Sequence, residues 1–123
     1  MKKHQYTIQN RWTGNLGTGT DHYRHYSRDH EITQPGKKHA VLGSSDPAFR
    51  GDPGRYNPEE LLVASISSCH MLWYLHLCAV NKVVVIDYSD QATGVMEESK
   101  VGSGRFAEVT LYPKVIVTEQ EMF

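Results

Sequence analysis

Asn57-Pro58-Glu59-Glu60, followed by the uncharged run from Leu61 to Val80, is the stretch that decides the fold. An asparagine side chain can accept a free backbone N–H, a proline at the first helical position loses nothing by lacking its own, and acids in the first turn meet the positive end of the helix dipole. The helix is therefore expected to start at Pro58. Fifteen of the twenty residues from Leu61 to Val80 are apolar, and the run is long enough to cross a bilayer. Ser65, Ser67, Ser68, His70 and His76 would be costly in hydrocarbon, however, and neither a second span nor a basic flank accompanies them. The reading is a central buried helix, covered by sheet on one side and by something else on the other. In a chain of this size a second subunit is a natural cover.

Outward from the helix, the sequence is polar before it and alternating after it. On the N-terminal side Tyr6, Ile8 and Trp12 lie on even positions, which suits a half-buried strand from Tyr6 to Trp12, and Thr13–Gly19 supplies turn residues. A second strand is expected at Tyr23–Ser27 and a short third at Glu31–Thr33. Residues 34–57 contain three prolines and four glycines, more irregular chain than a compact domain carries without using it, and read as a loop lining a site. On the C-terminal side Val83-Val84-Val85-Ile86 opens a β-rich stretch reaching Glu98, and Ser99–Gly104 gives a turn. Arg105–Thr118 answers with Val109, Leu111, Val115 and Val117 on one face and Glu108, Thr110, Tyr112 and Lys114 on the other. That is a long antiparallel hairpin with one face buried, so the fold class is α+β: an antiparallel sheet packed on the central helix.

A chain of 123 residues is one domain, 1–123. With 39% apolar residues it can build a core, and at this size a partner subunit would add stability. Thirteen Lys and Arg against fourteen Asp and Glu leave a formal net charge of −1, so no electrostatic footprint attracts nucleic acid. The polar start Met1–Thr7 has no apolar run of secretory length, which places the chain in the cytoplasm with no membrane partner. Two cysteines do not make a disulfide scaffold, and in a reducing compartment a thiol is buried, catalytic or metal-bound.

Cys69 sits about three turns into the helix, on one face with Leu62, Ser65, Ile66, Leu72, Trp73 and His76. A buried structural cysteine fits that setting, since apolar surroundings raise a thiol pKa; a reactive Cys69 needs a cation from elsewhere, and the long loop carries Arg50 and Arg55. Cys78 points to the opposite side, about 13.5 Å along the axis, so it cannot pair with Cys69 and reads as a core filler. His76 is about 10.5 Å from Cys69 along the helix and His70 is turned about 100° away, so no Cys–His pair is built into the helix itself. His22, His25 and His30 lack metal-ligand spacing, and neither a metal nor a cofactor is expected. Gly102-Ser103-Gly104 has no helix after it and reads as a turn rather than a phosphate cradle.

Asn57-Pro58-Glu59-Glu60-Leu61-Leu62 followed by Ser67-Ser68-Cys69-His70 resembles the OsmC/Ohr family of osmotically inducible and organic hydroperoxide resistance proteins. The likeness covers the layout of the whole chain, and Glu59 precedes Cys69 by the ten residues of the family's pattern. It implies an α+β fold, an intertwined homodimer with sites at the subunit interface, and a thiol peroxidase reducing organic hydroperoxides in oxidative and osmotic stress defence. By that resemblance Cys69 is the peroxidatic nucleophile and Glu59 orients an activating arginine. Gly14-Asn15-Leu16-Gly17 stands where the family often has its arginine, so the role shifts to Arg50, with Arg55 and Arg24 behind it. A continuous helix separates Glu59 from Cys69 by about 15 Å. Either the helix breaks or Glu59 serves the other subunit. The family's C-terminal helix with a resolving cysteine and its last strand are not in this sequence, so oxidised Cys69 would need an external dithiol to recover. The competing classes are a non-catalytic dimeric stress or small-molecule-binding protein of the same fold, and a Cys–His thiol hydrolase.

Overall fold

A computed structural model describes residues 2–99 and 104–118. Two compact units divide the chain, Met1–Pro58 and Glu59–Phe123.

The first unit is a three-stranded antiparallel sheet in the order β1 (Gln9–Trp12), β2 (His30–Thr33), β3 (Val41–Gly43). Strand β1 starts at Gln9 rather than Tyr6. The strand expected at Tyr23–Ser27 is instead a turn region: Arg28 Nη1 donates to the carbonyls of Tyr23 and Tyr26 at 2.7 and 2.8 Å, and the His25 N–H donates to the His22 carbonyl. Local partners thus satisfy the backbone groups that a ladder would have used. Gly14 allows the close return of the chain, because a Cβ there would meet the Ser27 carbonyl oxygen, which accepts from the Trp12 indole at 2.7 Å. The expected long loop, 34–57, contains β3 and a 3-10 turn at Pro47–Phe49. Ser44, fully buried, knits it together: its N–H donates to the Tyr56 carbonyl at 3.0 Å and its hydroxyl accepts from the Asp52 N–H at 3.0 Å.

The second unit is one helix, α1 (Pro58–Val80), and an antiparallel hairpin in two ladders, β4 (Val85–Asp90) with β7 (Pro113–Val117) and β5 (Thr93–Glu98) with β6 (Gly104–Thr110). The helix starts where Asn57-Pro58 predicts. It ends in a Schellman turn, with the Val83 N–H on the Cys78 carbonyl at 2.8 Å and Lys82 taking the left-handed conformation (φ 60°) usually left to glycine. The expected long hairpin is present but interrupted at Gln91-Ala92 and Leu111-Tyr112. Pro113 has no N–H to donate, and the Tyr112 N–H turns instead to Asp90 Oδ1 at 2.7 Å. The turn expected at Ser99–Gly104 lies largely outside the described residues.

Helix and hairpin meet along one face. Val63, Ser67, Met71, Tyr74 and Cys78, at spacings of three and four, are half-buried, while none of the helix residues is fully buried. Going down the helix, Val63 lies over Gly94, Ser67 donates to Asp90 Oδ2 at 2.6 Å, His70 Nδ1 lies 3.1 Å from the Tyr88 hydroxyl, and the Tyr74 and Tyr88 rings are 5.8 Å apart. The expected cover by sheet on one side is thus present: within the second unit, among the described residues, the hairpin covers one face of α1. Among the described residues no apolar side chain is fully buried. By length and composition α1 could also cross a membrane, but its covered face is the one that carries Ser67 and His70.

Candidate active site

Cys69 is a free, exposed thiol on the uncovered face of α1. Its neighbours on that face are the ones helical spacing predicts, and they too are open: Leu62 is 43% exposed, Ile66 40%, Leu72 61% and Trp73 62%. An apolar face this open around a cysteine is the most distinctive surface of the second unit. Cys78 is half-buried on the opposite, hairpin-facing side, in a cleft of about 380 Å³ with Leu75, Ala79, Lys82, Val83, Val84 and Val85. The two thiols are thus separated as expected, and Cys78 serves packing.

The histidines of the helix are engaged elsewhere. His70 pairs with Tyr88 on the hairpin side, and the His76 ring stands edge-on to Trp73 at 5.8 Å. Among the described residues no hydrogen bond reaches Cys69. Desolvation raises the Tyr88 phenol above its usual 10.0, with the Asp90 carboxylate and Tyr74 adding to the effect. Tyr88 therefore stays a neutral hydroxyl beside His70 throughout the physiological range.

Since α1 runs unbroken from Pro58 to Val80, the first of the two explanations for the Glu59–Cys69 spacing falls away. Ten helical residues leave Glu59 about 15 Å from Cys69 of its own chain. Glu59 carries the clearest unmet demand of the unit: its Oε2 is buried and has no hydrogen-bond partner among the described residues. A buried carboxylate oxygen in that condition favours a cationic donor brought to it.

The candidate arginines all lie in the first unit, and their surroundings differ. Arg55 is committed: its Nε is 3.4 Å from Asp29 Oδ2 and 4.0 Å from Asp52 Oδ2, and its Nη1 donates to the His30 carbonyl at 3.2 Å. Arg50 has no carboxylate partner among the described residues. Its backbone is left-handed (φ 64°), closing the 3-10 turn with its N–H on the Pro47 carbonyl, and its guanidinium carbon lies 5.6 Å from the Tyr23 ring centre. Arg24 is similarly unpaired and donates from Nε to the Tyr23 hydroxyl at 2.9 Å. Sequence reasoning treated Arg55 as equivalent to Arg24. Its two carboxylate partners, Asp29 and Asp52, set it apart, and Asp52-Pro53-Gly54-Arg55 in the sequence was the signal for one of them. The three histidines near the start do not converge with other ligands: His25 Nδ1 is 2.9 Å from Asp21 Oδ1, and among the described residues no three His, Cys, Asp or Glu side chains gather as a metal site would require.

Neither a protein-family model nor a curated protein matches the chain. Among solved structures it is similar to an OsmC-like protein of unknown function from Vibrio cholerae, with a TM-score of 0.82 and 28% sequence identity over 98% of this chain and 79% of that one. The shared α+β arrangement covers nearly every residue of this chain. The chain is thus similar, over nearly its whole length, to an OsmC-like protein.

Proposed function

We propose that this protein is a cysteine-based peroxidase that reduces organic hydroperoxides to alcohols, working as a homodimer in the cytoplasm. The observation that carries the proposal is Cys69: a free, exposed thiol on the open apolar face of α1, in a chain similar to an OsmC-like protein. Burial of Leu62, Ile66, Leu72 and Trp73 against a second copy would supply the cover that the hairpin leaves missing, and a closed twofold pairing is the commonest way for one surface to cover itself. The same apolar side chains would favour an alkyl peroxide over hydrogen peroxide.

In the reaction the Cys69 thiolate attacks the distal peroxide oxygen. The S–O bond forms as the O–O bond breaks, the alkoxide leaves and takes a proton, and cysteine becomes a sulfenic acid. An arginine stabilises thiolate and leaving oxygen, and a carboxylate holds the arginine; Arg50 and Glu59 are the residues proposed for these roles. Among the described residues Arg50 and Arg24 both have guanidinium groups free of carboxylates, whereas Arg55 does not. An external dithiol then reduces the sulfenic acid, giving water and a disulfide.

The test is intact-protein mass spectrometry after one equivalent of cumene hydroperoxide, with and without a sulfenic-acid trap, on wild type and Cys69→Ser. A trapped adduct on the wild type alone supports the peroxidase. No adduct on a folded dimer leaves the fold as a binding protein and rejects the activity.

A further inference from the structure

The two units are oppositely charged. Residues 1–58 hold nine Lys and Arg against five Asp and Glu, while residues 59–123 hold four against nine. Within the first unit the positive charge is not evenly neutralised. Arg55 has two carboxylates, but Arg24, Arg28 and Arg50 have none among the described residues. Four of the five acids of the same unit are taken elsewhere: Asp21 by His25 and Thr18, Asp29 and Asp52 by Arg55, and Asp46 by the Ala48 N–H.

Those three guanidinium groups collect around one residue, Tyr23. Arg24 donates to its hydroxyl and lies 5.4 Å from its ring centre, Arg50 lies 5.6 Å from the same centre, and Arg28 holds its carbonyl at 2.7 Å. The guanidinium carbons of Arg24 and Arg50 are therefore at most about 11 Å apart. The His22 ring stacks on Tyr23 at 4.7 Å, and Arg28 itself lies over Tyr26 at 3.9 Å. Aromatic faces that hold guanidinium groups leave their outer N–H donors unused, and paired arginine forks match the oxygens of a phosphoryl group in both charge and geometry. The left-handed backbone at Arg50, uncommon for a residue with a side chain, is local strain of the kind that collects at ligand sites.

The geometry points to an oxyanion-binding site on the first unit, in which Arg24 and Arg50, gathered by Tyr23, bind a phosphate dianion or phosphate monoester. It goes beyond the thiol chemistry proposed above and shares Arg50 with it, so phosphate and the Cys69 role compete for that side chain; its binding is read without peroxide or Cys69.

The experiment titrates inorganic phosphate into the full chain, with ionic strength held by sodium chloride, and follows the arginine Nε–H resonances by NMR. Saturable shifts of Arg24 and Arg50 are expected, with a dissociation constant of roughly a millimolar. Arg24→Gln and Arg50→Gln should each weaken binding about tenfold, while Arg11→Gln on β1 leaves it unchanged. Should a glutamine variant fail to fold, Tyr23→Phe removes only the hydroxyl that seats Arg24 and should weaken binding about threefold. Methyl phosphate binding as tightly as phosphate supports a monoester as the ligand, and clearly tighter binding of inorganic phosphate supports the free ion. A linear response without saturation, or equal loss on Arg11→Gln, overturns the site.

Discussion

Asp90 joins the helix to the kink of the hairpin, and replacing it with alanine tests whether that junction organises the second unit. One carboxylate accepts the Ser67 hydroxyl at 2.6 Å and the Tyr112 N–H at 2.7 Å. Hydrogen bonds to a charged group contribute about 1.5–3 kcal/mol each when shielded from water. The Ser67 bond is partly buried and keeps most of that value, whereas Tyr112 is 59% exposed and its N–H can turn to solvent. The loss for Asp90→Ala is therefore about 2–3 kcal/mol, a fall in Tm of roughly 8–12 °C for a chain of this size. Asp90→Asn keeps a neutral acceptor for Tyr112 and a partner for Ser67 and should lose only about 1 kcal/mol. Urea unfolding followed by circular dichroism, at one protein concentration so that any association stays constant, measures both. A double-mutant cycle with Ser67→Ala should return a coupling of about 1 kcal/mol. If Asp90→Ala unfolds within about 0.5 kcal/mol of wild type, the junction is not what holds helix and hairpin together.

Gly94 marks a close crossing of helix over hairpin, where a Cβ would lie 2.6 Å from Val63 Cγ2 and 3.1 Å from Phe106 Cε1. Gly94→Ala should destabilise by about 1–3 kcal/mol in the same urea assay, and Val63→Ala in the same chain should recover part of that. Tyr88 ionises near 10.0 in the unfolded chain and higher in the folded one. Its contribution to stability is thus fully present below about pH 10 and is lost as pH rises from there through the folded pKa; thermal melts should show that alkaline decline in wild type and a smaller one in Tyr88→Phe. On the open face of α1, Leu72→Glu should convert a dimer to monomer in sedimentation analysis, since a charge would be buried without a partner at the interface. An unchanged sedimentation coefficient would place any dimer contact elsewhere.

Much of the second unit was legible in the sequence. Asn57-Pro58 marked the helix start because proline loses nothing at a position whose N–H has no helical partner, and the absence of charge from Leu61 to Val80 marked a helix with two faces to cover. The alternation from Arg105 onward marked the hairpin. Pro113 was also visible, but its consequence depended on a carboxylate 23 residues earlier arriving beside it, which no local pattern encodes. The first unit was less legible: Tyr23–Ser27 has strand-like residues, yet Arg28 binds two of that segment's carbonyls, and side-chain reach of this kind leaves no periodic signal.

For the site the division is similar. The sequence by itself determined that Cys69 stands on a face apart from Cys78 and that a continuous helix keeps Glu59 away from Cys69, because helical angle and rise are properties of the backbone alone. Tertiary structure decided which face the hairpin covers, leaving Cys69 open and Cys78 half-buried. It also separated the arginines, committing Arg55 to Asp29 and Asp52 while Arg24 and Arg50 meet at Tyr23. These outcomes depend on distances between residues far apart in the chain, and those distances exist only once the strands have paired and the helix has packed.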